Sequence, residues 1–89
     1  MGRISIVGVV GAGAMGAGIA QSALMAGRKV VLFDQQPEAL EQAMGSIVAR
    51  LDNMAAKGRL DPAIAETARG RIRAAAGLAD FAHADLVVE

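Results

Sequence analysis

The amino-acid sequence predicts an α/β protein: parallel strands in a doubly wound sheet, left incomplete within 89 residues. Three observations carry that reading. Ile4 to Val10 is a short apolar run rich in β-branched residues, as a strand buried on both faces requires. Gly11 to Gly13 then turns the chain into an apolar segment with helical spacing. Lys29 to Phe33 is a second strand-like run and ends against an acid, Asp34. Strand, helix and strand in this order make a right-handed crossover, with the two strands parallel and adjacent.

Each element has its own justification. Gly8 would weaken an isolated strand but lets a neighbouring helix approach closely. The first helix is expected over Ala14 to Ala26, where Met15, Ile19, Ser22 or Ala23, and Ala26 fall near a 3.6-residue period. Gly27 stands where a helix C-cap glycine belongs. After Asp34, Pro37 suits a first helical turn, and Glu38 and Glu41 lie near the positive end of the helix dipole. Leu40, Met44, Ile47, Leu51 and Met54 recur at three- and four-residue steps, which predicts a long amphipathic helix to about Lys57, stopped by Gly58. Asp61-Pro62 is an N-cap followed by proline at the first helical position, opening a helix with Ile64, Ala68, Ile72 and Ala75 on one face. Gly70 interrupts that helix at a cost of about 1 kcal/mol relative to alanine. The helical hairpin therefore spans about 37–76. Gly77 and Asp80 mark loops, and Asp85 to Glu89 begins a third strand, beside the first on its free side or beyond it.

Composition narrows the function. Apolar residues make up 54% of the chain and the only aromatics are Phe33 and Phe81, so the core is built from Ala, Val, Ile, Leu and Met. A chain this short buries a modest share of its surface, which leaves a thin margin of stability. Nine basic and nine acidic residues cancel, so charge suggests no nucleic-acid partner. The absence of cysteine excludes disulfides, thiolate metal sites and a Cys nucleophile, and fits a reducing, cytoplasmic compartment. The first strand starts close to Met1, which leaves no room for a signal peptide. The uncharged stretch Ile4 to Gly27 is broken by glycines, Ser5, Gln21 and Ser22, and reads as strand, turn and helix rather than as a membrane span.

Gly11-Ala12-Gly13-Ala14-Met15-Gly16 fits the pattern G-x-G-x-x-G. Gly11 permits the tight turn, Gly13 leaves room for a pyrophosphate against the backbone, and Gly16 lets the helix pack on the strand. The free N–H groups of the helix start, Ala14 and Met15 among them, favour a phosphate. The loop holds no charged side chain, so the backbone is the anion receptor. Asp34 follows at close to the ~20-residue spacing expected of the acid that binds the adenosine ribose. Its charge would repel a 2′-phosphate and so favours NAD over NADP. Gln35 adds a polar contact. Without a ligand the same glycines would form only a tight turn, and Asp34 only a solvated strand-end acid.

Beyond that motif, Val9 to Gln21 (Val-Val-Gly-Ala-Gly-Ala-Met-Gly-Ala-Gly-Ile-Ala-Gln), followed by Ala-Gly-x-x-Val-Val-Leu-x-Asp, resembles the 3-hydroxyacyl-CoA dehydrogenases. Met15 to Gln21 is more specific than the bare glycine pattern. The helix pair after the second strand and the ending Ala84 to Glu89 also look like that family, so the resemblance covers essentially the whole chain. It implies a Rossmann-like dinucleotide-binding fold and NAD-dependent oxidation of an L-3-hydroxyacyl-CoA to the 3-ketoacyl-CoA, in fatty-acid β-oxidation or related acyl-CoA metabolism. It implies a general-base histidine and an orienting glutamate that belong to later parts of the fold. The 89 residues are thus expected to be an amino-terminal piece without the catalytic residues, inactive alone, from an enzyme that would be a homodimer. Helical-hairpin contacts to coenzyme A in the family involve a serine and a lysine; Lys57 matches the lysine position, and Arg50 stands where the serine is often found.

The hairpin is basic, with Arg50, Lys57, Arg59, Arg69, Arg71 and Arg73 against Asp52, Asp61 and Glu66, which suits the phosphates of coenzyme A. A solvated helix face with ion pairs would look the same. His83, the single histidine, precedes a strand at the amino-terminal edge of the sheet, whereas ligands of such folds bind at the carboxyl ends. It is therefore expected to be a loop residue and not a base. Glu89 ends a strand on the cofactor side and is given no role. Two other functions fit the residues: a non-catalytic dinucleotide-binding module, and part of another NAD-dependent reductase, such as a relative of the 3-hydroxyisobutyrate dehydrogenases.

Overall fold

The computed structural model describes residues 5–89, so Ile4 of the expected first strand lies outside the described residues. The elements are β1 (Ile6–Val10), α1 (Ala14–Met25), β2 (Lys29–Phe33), α2 (Pro37–Ala56), α3 (Pro62–Arg69), β3 (Ile72–Ala74), a short 3-10 turn (Leu78–Phe81) and β4 (Leu86–Val88). The sheet has the order β3-β2-β1-β4, and every pairing is parallel. The final strand lies on the free side of β1.

Local sequence explains where the helices stop. Gly27 takes φ +84° and Gly58 takes φ +72°, a region side chains rarely enter. At the end of α1, the Gly27 N–H donates to the Leu24 carbonyl and the Arg28 N–H to the Ala23 carbonyl. At the end of α2, Gly58 donates to Ala55 and Arg59 to Met54. Both ends are Schellman motifs, which satisfy carbonyls that a helix terminus otherwise leaves bare. At the start of α3, Asp61 accepts from the Ala63 N–H at 2.9 Å and Pro62 follows as expected.

One expectation fails. The helix after Pro62 does not carry Ile72 and Ala75 on its face; it ends at Arg69 with Gly70 as its cap, and the hairpin closes there rather than at about residue 76. Ile72 to Ala74 instead forms β3 on the outer edge of β2, with Val30 donating to the Arg71 carbonyl at 2.7 Å and Ala75 to the Leu32 carbonyl at 2.8 Å. The edge N–H groups of β2 need partners, and an adjacent strand supplies them while Ile72 still reaches the core.

One face of the sheet carries the main core. Val7, Val9, Val30, Leu32 and Ile72 pack with Ala17, Ala20, Ala23 and Leu24 of α1, Ile47 and Leu51 of α2, and Ala65 and Ala68 of α3. Alanines on α1 and α3 let the helices sit close to the strands. The other face centres on Gly8, Val31 and Phe81. A Cβ at Gly8 would lie 2.6 Å from the Phe81 ring, so the close approach that Gly8 permits is to this ring, not to a helix. Phe81 also meets Phe33 edge-on, with ring centroids 6.5 Å apart. Leu86 and Val87 of β4 are exposed. Among the described residues, no helix is long and apolar enough to cross a membrane.

Candidate dinucleotide site

The site is built where β1 runs into α1. Gly11 has φ +103°, which favours glycine, and its N–H donates to the Phe33 carbonyl at 2.7 Å, tying the ends of β1 and β2 together. Gly13 is the N-cap of α1 in extended backbone, and a Cβ placed on it would meet nothing within 4 Å. A Cβ on Gly16 would instead run into the Gly11 carbonyl, with the Gly11 carbonyl carbon at 3.0 Å. The two glycines therefore do different work: Gly16 closes the helix onto the loop, and Gly13 keeps the outer surface of the loop bare.

No side chain caps α1, and no acid stands in its first turn. The N–H groups of Ala14, Met15 and Gly16 are those that a helix start leaves without an intrahelical acceptor. Uncapped donors on an open surface at the positive end of a helix dipole fit a pyrophosphate.

Asp34 locks the loop from the side. Its Oδ2 accepts from the Ala12 N–H and its Oδ1 from the Gln36 N–H, each at 2.8 Å. The Ala12 bond, then the Gln36 bond, holds the carboxyl below the usual carboxylate range. Each oxygen keeps acceptor capacity for a hydroxyl. Asp34 is thus able to hold the glycine loop and accept from a ribose together.

Two clefts flank the loop. One of about 260 Å³ is lined by Val10, Gly11, Asp34, Gln35 and Gln36. The other, about 320 Å³, runs along Gly13 to Gly16 and Ile19 to Val88 and Glu89 of the β4 end. The strand order reverses between β1 and β4, and doubly wound sheets take their ligands in the crevice at that point. Met15 is 80% exposed beside the second cleft.

Of the residues singled out in the sequence, Gly11, Gly13, Ala14, Met15, Gly16, Asp34 and Gln35 come together here. Lys57 does not: it caps the far end of α2, about 30 Å of helix from Pro37. Of the hairpin cations, Arg69 pairs with Asp52 across α2 and α3, and Arg71 donates to the Gly27 carbonyl. His83 is exposed and lines a cavity with Ile6, Lys29 and Asp80, at the opposite end of the strands from the loop. The sequence reading missed Gln36, Ala12 and Val88. Gln36 was findable, because aspartate side chains commonly bond the backbone N–H two residues on. The Ala12 bond spans 22 residues and has no local signal.

Residues 6–89 match a protein-family model described as "3-hydroxyacyl-CoA dehydrogenase, NAD binding domain". The chain belongs to this family. It is 49% identical over 82 residues to the probable 3-hydroxybutyryl-CoA dehydrogenase of Deinococcus radiodurans, covering 92% of this chain and 29% of that protein. It is 38% identical over 87 residues to the 3-hydroxyadipyl-CoA dehydrogenase of Escherichia coli, covering 98% of this chain and 18% of the relative. Among solved structures, the Escherichia coli K12 3-hydroxybutyryl-CoA dehydrogenase superposes with a TM-score of 0.89 at 38% identity, over 96% of this chain and 18% of that one. The chain thus spans less than a third of the relatives named here. The family's dinucleotide is NAD, and its fold is the one described above: a parallel Rossmann-like sheet with helices.

Proposed function

We propose that these 89 residues are the NAD-holding, amino-terminal part of an L-3-hydroxyacyl-CoA dehydrogenase, which oxidises a 3-hydroxyacyl-CoA to the 3-ketoacyl-CoA. The observation that carries the reading is the pairing of an uncapped helix start with Asp34 bonded across to the same glycine loop. Relatives bearing 3-hydroxyacyl-CoA dehydrogenase names support the reaction class.

In this reading the N–H groups of Ala14, Met15 and Gly16 bind the pyrophosphate, over the bare surface at Gly13. Asp34 accepts from the ribose hydroxyls and disfavours a 2′-phosphate, and Gln35 lines the same cleft. The cleft along Met15 and Val88 leads toward the reacting end, where bound NAD supplies the hydride acceptor. Lys57, exposed at the end of α2, is placed to meet the phosphates of coenzyme A. The general base and its partner are supplied by chain beyond these residues, as is the homodimer contact. The absence of cysteine suits a cytoplasmic enzyme.

Calorimetric titration tests the cofactor half. NAD should bind the 89-residue chain, NADP should bind more weakly, and Asp34→Ala should lose most of the NAD affinity. Equal binding of NAD and NADP by the parent chain would overturn the role given to Asp34. Incubation with NAD and 3-hydroxybutyryl-CoA tests the rest: no NADH should form, and turnover would show that the chain holds its own catalytic base.

A further inference from the structure

Asp34 does more to the glycine loop than a contact to a ribose requires. Ala12 stands between Gly11 and Gly13, two residues with no Cβ to restrict their backbone. The Gly11 N–H is bonded to the Phe33 carbonyl at 2.7 Å, and the Ala12 N–H to Asp34 Oδ2 at 2.8 Å. Both acceptors belong to the end of β2, so these two loop donors turn toward that strand. The N–H groups of Ala14, Met15 and Gly16 precede the first bond within α1, from Ala17 to the Gly13 carbonyl at 2.9 Å, and are the donors left for an anion. Where they point depends on how the Ala12 peptide is held.

Asp34 is itself fixed from a second direction. Its Oδ1 accepts from the N–H of Gln36, the N-cap of α2, at 2.8 Å. The carboxylate therefore brackets the loop to the start of α2. Without it, the Ala12 N–H becomes a part-buried donor that has lost its acceptor, and the glycines on either side let the peptide turn away. Charge alone argues the other way. A carboxylate beside a diphosphate repels it. An Asp34 that touched only the ribose would weaken pyrophosphate binding, and its removal would strengthen that binding.

We infer that Asp34 is a positioning residue for the pyrophosphate: acting through Ala12, it sets the Ala14, Met15 and Gly16 donors, so that a diphosphate carrying no ribose also needs it. The role rests on the loop being the dinucleotide site, and is separate from the contact of Asp34 to the ribose hydroxyls.

The test is an amide chemical-shift titration of the isotopically labelled 89-residue chain, near neutral pH, with inorganic pyrophosphate and separately with adenosine. NAD on the parent chain checks the loop itself. In the parent, pyrophosphate should give saturable shifts at Ala14, Met15 and Gly16. Asp34→Ala should weaken it about fivefold or more, the equivalent of about 1 kcal/mol, although a negative charge is removed. Asp34→Asn keeps one acceptor oxygen and should fall between Asp34→Ala and the parent. A pure charge effect would make the two variants alike, and both tighter than the parent. Adenosine reports the ribose contact and should weaken in both, while signals of Ile47 and Leu51 keep the parent pattern. Hydrogen exchange on the parent decides the matter should a variant fail to fold: Ala12, outside any helix or strand, should exchange much more slowly than Gly13. Variants that bind pyrophosphate as tightly as the parent or tighter, an Ala12 amide that exchanges as fast as that of Gly13, or a parent that saturates with NAD but not with pyrophosphate would overturn the inference and leave the NAD reading standing. A parent that binds neither at the loop would overturn both.

Discussion

Replacing Gly16 by alanine puts a methyl group into the Gly11 carbonyl, an overlap too deep for a shift of a few tenths of an ångström to relieve. The obstacle is backbone, not the end of a flexible side chain. The Gly11 peptide is held on one side by the Phe33 carbonyl and on the other through Ala12 and Asp34, so it cannot rotate without breaking a bond. The alternative is to lift α1 off β1 and open the core at Ala17 and Ala20. Overpacking of this kind costs about 1–3 kcal/mol, occasionally more. A domain of this size has about 4–13 kcal/mol in total, and each 1 kcal/mol moves Tm by about 4–8 °C. Gly16→Ala should therefore lower Tm by roughly 5–20 °C. Gly13→Ala is the control. Its backbone suits any residue and its Cβ would enter open space, so stability should be unchanged or rise by up to about 1 kcal/mol. Its NAD affinity should nevertheless fall by about tenfold or more, because the added methyl stands where the pyrophosphate must lie. The chain has no Trp or Tyr, so thermal and urea unfolding are followed by far-ultraviolet circular dichroism. Equal Tm values for the two variants would refute the division of labour between these glycines.

Further outcomes follow from other parts of the structure. Gly8→Ala should destabilise by about 1–3 kcal/mol in urea unfolding and displace the Phe81 ring signals, since the new methyl meets that ring. Ile47→Ala, at a fully buried position of α2, should cost about 2–5 kcal/mol in the same assay. Asp34 and Asp85 both have carboxyls held below the ordinary range, Asp34 by the N–H groups of Ala12 and Gln36, Asp85 by those of Ser5 and Ile6. A lowered folded-state pKa adds stability that is fully present above the unfolded value near about 4 and is lost as pH falls through the folded value. Urea midpoints should be flat near neutrality and drop below about pH 4, and the double variant Asp34→Asn, Asp85→Asn should show a shallower drop.

The sequence made the glycine loop, α1, β2 and α2 legible because each carries a strong local signal. The glycines are spaced by the ligand chemistry, Gly27 and Gly58 mark stops, and Leu40 to Met54 repeat at the helical period over about four turns. Asp61-Pro62 fixed the start of α3 for the same reason. The end of α3 was not legible. Ile72 lies at a spacing from Ile64 and Ala68 that a helix face would also show, and a three-residue strand is too short to display a period of two. Its identity is decided by the open edge of β2, which lies far away in sequence. The site followed the same rule. Residue types inside the loop were readable, whereas the bond from Asp34 to Ala12 and the cleft wall at Val88 depend on strand order. The basic residues of the hairpin were read together, yet Arg69 and Arg71 hold Asp52 and Gly27, and their position in the fold separates them from Lys57.

The most direct measurement is an amide chemical-shift titration of the labelled chain with NAD. Saturable changes are expected at Gly13, Ala14, Met15, Gly16 and Gln35, with little change at Ile64 and Thr67, and with loss of the pattern in Gly13→Ala while that variant remains folded. A folded chain that shows no shifts at the loop, or shifts centred on the opposite end of the strands around Lys29 and His83, would contradict it.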